Sequence, residues 1–446
     1  MAPAPGLVIA AAASGSGTTV FTLGLLRALH RRGLRPASAK VGPDYIDPAF
    51  HAAAGRMPCR NLDGWAMRPA RLDAEIRRLS DTADLVVCEG VMGLFDGADV
   101  EDGMPSGSSA DIAAFAGWPV ILLVDLRRQA ASAAALINGF RGHRSDLDIA
   151  GVVFNQVASR GHRAMVERAC SLHCPGLPLL GWLPREPAMT LAERHLGLVQ
   201  AGEISSLDDR LDAIAGRIEE TVDVDGLIAL ARESRRPAAD GACPPPVPPL
   251  GQKIAVARDE AFAFAYTGVL DGWRQAGAEL TFFSPLANEA PAADADAVYL
   301  PGGYPELHAG RLAAATRFLE GLRRMAGNGR WIFGECGGYM ALGRTLEDQD
   351  GQSHAMAGLL PLDTSFAKRR LHLGYRRGRV LGDTPLGAKG AGFRGHEFHY
   401  ASILAQDQAG PLFEAFDAQG RPLGPMGHQA GTVIGSFLHL IDRDDA

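Results

Sequence analysis

The chain has 446 residues, 21% charged and 47% hydrophobic, with a formal net charge of −7. This composition excludes a disordered, collagen-like or disulfide-dense chain, and net acidity argues against a nucleic-acid partner. At about 150 residues per domain, the length predicts two or three domains that each bury a core. Six cysteines (59, 88, 170, 174, 243 and 336) are scattered, which fits reduced thiols in a cytoplasmic protein. Cys170 and Cys174 have the spacing of half a metal site, but no second pair completes it.

Leu7–Ala13 is apolar like the core of an export signal, yet no basic segment precedes it. No run approaches the ~18 apolar residues of a membrane span, so a soluble protein with no membrane partner is expected. A helix is predicted from about Thr19 to Arg31. Asp84–Glu89, Val120–Asp125 and Ile149–Asn155 are short, β-rich runs that end on polar residues. Strands of a parallel sheet deliver functional groups in that way at their C-terminal ends. Ser206–Ala231 closes this half as one or two helices.

Arg236–Gly251 contains six prolines, which remove backbone donors and fix φ, so neither helix nor sheet can cross it. A linker over 236–252 therefore separates domains at 1–235 and 253–446. Beyond it, Lys253–Ala257, Glu279–Phe283, Ala297–Leu300 and Trp331–Gly334 read as strands, with helices near 262–276 and 307–327. Both halves are α/β.

Three segments carry chemistry. Ala13-Ser-Gly-Ser-Gly-Thr-Thr19 joins the first strand to a helix, where glycines let amides approach phosphate and the helix N-terminus favours an anion. Thr18 stands where a phosphate loop has Lys, so a plain strand–helix turn also fits. Lys40-Val-Gly-Pro-Asp44-Tyr-Ile-Asp47-Pro and Cys88-Glu89-Gly-Val-Met-Gly-Leu-Phe-Asp96-Gly each place two acids at a strand end, which suits Mg²⁺ beside a phosphate loop. In Trp331-Ile-Phe-Gly-Glu-Cys336-Gly-Gly, a thiol sits on a strand-to-helix elbow. Leu300-Pro-Gly-Gly-Tyr-Pro-Glu306 offers amides for an oxyanion, and His439 follows a strand near the chain end, suited to a general base. His396 and His399 compete for that role. Lys368–Arg379 packs six Lys or Arg into twelve residues; it fits either a polycarboxylate-attracting patch or a solvated hairpin face.

Residues 253–442 resemble a class I glutamine amidotransferase domain. That resemblance implies that Cys336 attacks the glutamine amide, His439 moves the proton, and the amides of Gly303 and Gly337 hold the oxyanion. Many such domains have Glu two residues after the His; Ile441 stands here, which leaves the third role empty.

The acid-bearing segments resemble the ATP-dependent cobyrinate or hydrogenobyrinate a,c-diamide synthases of cobalamin biosynthesis. Their amidoligase domain is similar to dethiobiotin synthetase, with a P-loop-type parallel sheet. The resemblance implies ATP phosphates around Ser14, Gly15, Ser16, Gly17, Thr18 and Thr19, with Lys40 nearby and Asn155 near adenine. Asp44, Asp47, Glu89 and Asp96 would serve Mg²⁺ or the reacting carboxylate, with Asp47 and Glu89 as the metal ligands. The implied partners are hydrogenobyrinate or cobyrinate, L-glutamine and ATP, and assembly is open, a homodimer being one option. Nickel-sirohydrochlorin diamide synthases share these motifs. The Gly42–Asp47 segment argues against cobyric acid synthase. The missing Lys and Glu would also fit a nucleotide-binding regulatory protein with an inactive glutaminase-like domain.

Overall fold

The computed structural model describes residues 3–100, 103–186, 189, 193–194, 197–198, 200–204, 206–235, 243–406 and 410–445. The chain divides into two units, one made of Met1–Trp65, Pro69–Ala98 and Asp102–Gly241, the other of Ala66–Arg68, Asp99–Glu101 and Ala242–Ala446. Part of the expected linker, 236–242, lies outside the described residues.

In the first unit the chain runs β1 (Gly6–Ala11), α1 (Thr18–Arg31), β2 (Pro36–Val41), α2 (Asp47–Gly55), β3 (Cys59–Leu62), α3 (Pro69–Thr82) and β4 (Leu85–Glu89). It continues through α4 (Ser109–Ala116), β5 (Val120–Asp125), α5 (Ala133–His143), β6 (Ile149–Val157), α6 (Arg160–His173) and β7 (Leu179–Pro184). A small hairpin, β8 (Glu193–Arg194) with β9 (Gly197–Leu198), precedes α7 (Leu207–Thr221) and α8 (Val224–Leu230). Seven parallel strands lie in the order β3-β2-β4-β1-β5-β6-β7. Every residue of β1, β2 and β4 is buried, as expected of strands covered on both faces. Strand order reverses direction at β1, so a crevice opens at the carboxyl ends of β4, β1 and β5.

In the second unit, β10 (Lys253–Ala257), β11 (Glu279–Phe283), β12 (Ala297–Leu300) and β13 (Trp331–Glu335) join the strands Val433–Ser436 and His428–Ala430. The order is β11-β10-β12-β13-(433–436)-(428–430), parallel except for the last strand. Its helices are α9 (Thr267–Gln275), α10 (Ala309–Ala314), α11 (Thr316–Gly327) and α12 (Gly337–Leu342). Two smaller sheets fill most of 345–444, one of them pairing His372–Val380, Gly392–His399 and Leu438–Asp444 antiparallel.

Two expected helices differ from the observed ones. The helix near 262–276 begins only at Thr267, because Phe262 and Phe264 are buried and the Phe264 amide donates to the Gly302 carbonyl. The helix near 307–327 is broken at buried Ala315, whose ψ of 68° takes it out of the helical region. A short 3₁₀ turn at Pro305–His308 precedes the break.

Helix α1 packs against α7 through Gly24, where a Cβ would lie 2.6 Å from Ile214 Cγ2 and 2.9 Å from Ile218 Cγ1. Gly24→Val should force these helices apart and destabilise the chain by about 1–3 kcal/mol, read as a lower urea midpoint for a probe in the first unit. An unchanged midpoint would show that α1 and α7 yield freely.

Candidate active sites

The phosphate-loop candidate spans the turn between β1 and α1. Gly15 and Gly17 have φ of 71° and 93°, a left-handed backbone that side-chain-bearing residues rarely adopt. Ser16 Oγ donates to the Ala13 carbonyl at 2.7 Å, and Asn155 Nδ2 donates to the Ser16 carbonyl at 2.7 Å. Asn155, at the carboxyl end of β6, therefore braces the loop with its amide donor. A Cβ on Gly17 would lie 2.3 Å from that same Nδ2, so the brace requires glycine there. Thr18 begins α1 and supplies no charge. Arg127, just beyond β5, does: its Nη2 donates to the Gly15 carbonyl at 3.0 Å while Nε pairs with Asp125 at 2.6 Å. Sequence reading missed Arg127 because only the fold brings the end of β5 beside β1.

Beneath the loop lies a buried charge cluster. Lys40 Nζ donates to Asp47 Oδ2 at 2.7 Å and to Glu89 Oε1 at 2.6 Å. Thr19 Oγ1 lies 2.6 Å from Glu89 Oε1 and 3.4 Å from Asp47 Oδ2. His51 Nε2 reaches the other Glu89 oxygen at 2.6 Å, a partner that no motif signalled. Burial would raise the Glu89 carboxyl, but Lys40 and His51 hold it down to about 2. Burial also opposes the charge on Lys40, yet Asp47 and Glu89 keep its ammonium protonated, well above the usual lysine range. Asp44 behaves in the opposite way: burial and the Asp47 carboxylate lift it to about 6, although it accepts the Ile46 and Asp47 amides. Asp96 is exposed and accepts the Gly93 amide at 2.9 Å, so it shapes its own turn. Thr19, Asp47 and Glu89 thus bring hard oxygen donors together, a donor set that fits Mg²⁺ chemically.

In the second unit, Cys336 caps α12 with φ 46° and ψ −101°, a strained elbow for a residue with a side chain. The turn is possible because Gly338 crosses β12: a Cβ there would lie 1.9 Å from the Leu300 carbonyl oxygen. Gly302 lies where Cys336 and His439 approach each other. A Cβ on it would lie 2.4 Å from His439 Cε1, 3.2 Å from His439 Nε2 and 3.4 Å from Cys336 Cβ. The Gly303 amide nitrogen lies 3.0 Å from the point a Gly337 Cβ would occupy, so the two expected oxyanion residues are neighbours beside the Cys336 elbow. His439 is buried within the strand Leu438–Asp444, three residues past Ser436, where the preceding strand ends.

The competing histidines lie in other settings. His399 faces Glu397 Oε1 at 3.0 Å and the Ala401 carbonyl at 3.1 Å, and its ring stacks on Phe437. His372, Glu397 and His399 place donor atoms within 4.8 Å of one another, but Arg376 already neutralises Glu397 at 2.8 Å. Within the basic segment, Arg376 is therefore occupied, and Arg369 donates to Gln349 at 2.8 Å. His396 stands opposite His439 in the ladder, and burial lowers it to about 4.

Electrostatically, Cys336 and His439 rest as a neutral pair. Burial, then the nearby Glu306 charge, push the Cys336 thiol well above the usual range, against the Gly337 amide. Burial, then His396 and His399, push His439 down to about 3, against Glu397. Without glutamine, iodoacetamide at pH 7.5 should therefore alkylate Cys336 more slowly than free cysteine, with the rate still rising above pH 9. A rate equal to or above that of free cysteine at pH 7.5 would contradict a neutral resting thiol.

Comparison with known proteins matches this division of labour. Residues 7–199 match the CobQ/CobB/MinD/ParA nucleotide binding domain, and residues 253–446 match the CobB/CobQ-like glutamine amidotransferase domain. The hydrogenobyrinate a,c-diamide synthase of Brucella suis biovar 1 (strain 1330) is 53% identical over 98% of both chains. The protein of the same name from Rhizobium meliloti (strain 1021) is 51% identical over 98% of this chain and 99% of its own. That from Rhodobacter capsulatus is 52% identical over 98% of both. With half its residues shared along nearly its whole length, and a nucleotide-binding unit followed by a glutaminase elbow, the chain belongs to the hydrogenobyrinate a,c-diamide synthase family.

Proposed function

We propose that the protein amidates the a and c side-chain carboxylates of hydrogenobyrinate, or of its cobalt-containing counterpart cobyrinate, using ATP and glutamine. The reading is carried by the pairing, in one chain, of a buried acid cluster under a phosphate loop with a thiol–imidazole elbow.

An ionised carboxylate is a poor electrophile, and ammonia is mostly ammonium at neutral pH. Both problems are met by splitting the work. In the first unit the terminal phosphoryl group of ATP passes to the substrate carboxylate, giving an acyl phosphate and ADP. Glycine amides of residues 14–19, the N-terminus of α1 and the Arg127 guanidinium suit the triphosphate. Thr19, Asp47 and Glu89 are the residues that would hold Mg²⁺, which supplies charge neutralisation to the phosphates. Asp44, lifted toward neutrality, is the acid suited to lie beside a second carboxylate, because two ionised carboxylates repel.

In the second unit Cys336 sulfur attacks the glutamine side-chain carbon, and its proton passes to His439. The amides of Gly303 and Gly337 stabilise the oxyanion. His439 then returns the proton to the departing ammonia, leaving a γ-glutamyl thioester that water hydrolyses to glutamate. Ammonia attacks the acyl phosphate and releases inorganic phosphate, and a second round amidates the second side chain.

Three acids offered in parallel (hydrogenobyrinate, cobyrinate and nickel sirohydrochlorin) test the substrate; gain of two amides by mass is expected for hydrogenobyrinate or cobyrinate. Two amides on nickel sirohydrochlorin alone would replace this reading. Cys336→Ala should lower glutamine-supported amidation by at least about 100-fold while ammonium-supported amidation stays within about twofold. Loss of both would make Cys336 structural. Glu89→Gln should cut both reactions by about 100-fold or more, since it unpairs Lys40 and removes a charged oxygen from the ATP site. Full ammonium-supported activity in that variant would place the ATP chemistry elsewhere.

A further inference from the structure

Glu335 precedes Cys336 in the chain and hydrogen-bonds the residue after His439, and it has been given no role so far. It is the last residue of β13, 3% exposed, and is joined to Cys336 by a peptide bond. Its Oε1 accepts the amide of Leu440, the residue after His439, at 3.0 Å. Its Oε2 accepts the Tyr299 hydroxyl from neighbouring β12 at 2.6 Å. Tyr299 is itself fixed, edge-on to Trp273 at 5.2 Å and beside Phe333 at 5.8 Å. A single buried carboxyl, anchored by an aromatic cluster, therefore ties the backbone of the nucleophile to the backbone of the base.

His439 is held on its other side as well. Leu438 donates its amide to Ser436 Oγ at 3.1 Å, and the Cys336 amide donates to the Ser436 carbonyl at 2.8 Å. Just past Leu440 the ladder is irregular, passing from Gly395–Leu440 to Arg394–Asp442 and skipping Ile441. A register break locally disrupts the ladder, bends the strand and re-aims its side chains, so contacts from outside the ladder help set where they point. Ile441, buried and apolar, cannot accept a hydrogen bond from the imidazole.

We propose that Glu335 is the positioning residue of the glutaminase pair, setting the approach of His439 to Cys336 through the Leu440 amide. The proposal rests on the reading of Cys336 and His439 as the glutaminase pair. Burial lifts the Glu335 carboxyl to about 7 against the pull of Tyr299 and Leu440, so the fold tolerates an acid here at some cost. A Gln in its place would keep an oxygen for Leu440.

The test uses the full chain, with L-glutamine hydrolysis and ammonium-driven amidation measured on each variant. Glu335→Ala should lower kcat for glutamine hydrolysis at least about tenfold, with KM for glutamine within about twofold and ammonium-driven amidation within about twofold. Glu335→Gln should recover kcat to within about threefold of the parent. A smaller fall in Glu335→Ala, a Gln variant as impaired as Ala, or a parallel loss of ammonium-driven amidation each overturns the proposal. Should Glu335→Ala not fold, Tyr299→Phe keeps the carboxyl and removes one restraint. A kcat at least about threefold lower at unchanged KM then supports positioning, and a smaller change overturns it. Cys336→Ala, run alongside, reports on the pair itself. If it hydrolyses glutamine normally, the pair is misassigned and there is nothing for Glu335 to position.

Discussion

A parallel sheet covered on both faces can present polar groups only where its strands end, and both units of this protein are organised by that constraint. β1, β2 and β4 are buried along their length, so Lys40, Glu89 and the loop after Ala11 emerge together at one edge. β12 and β13 end at the Pro301–Gly303 turn and at Cys336. Each site is thus assembled from strand termini that are far apart in sequence but adjacent in the sheet.

The two sites use burial to opposite ends. Around Lys40, low exposure strengthens attraction between unlike charges, and the cluster stays ionised because cations and carboxylates are matched. Around Cys336 burial and the Glu306 charge push the thiol up while burial pushes the His439 imidazole down, so both rest neutral. The first arrangement suits the phosphates and carboxylate of an ATP-driven activation. The second suits a nucleophile that is to be deprotonated only when its substrate is in place.

Much of this was legible from residue order. The acids of the Lys40–Pro48 and Cys88–Gly97 segments, the elbow at Cys336 and the amides near Gly303 sit in short motifs whose spacing mirrors local geometry. Other parts were not. β3 and β7 lack the apolar signature of a buried strand, since Cys59–Leu62 contains Arg and Asn and Leu179–Pro184 is interrupted by Gly181 and ends on Pro184. Most of 345–430 forms two small sheets, one mixed and one antiparallel, whose strands show no clean apolar alternation. The helix near 307–327 kept its periodicity across Ala315 although the backbone does not.

The sequence by itself determined the chemistry available: a thiol on a glycine elbow, a glycine loop without its lysine, and four acids at two strand ends. Only the tertiary structure decided the partnerships, because these depend on which strand ends become neighbours. His51 joined Glu89, Arg127 reached Gly15, and Asn155 braced Ser16 across the sheet. Most consequentially, Glu335 came to hold the amide beside His439, a contact across 105 positions that no local pattern records.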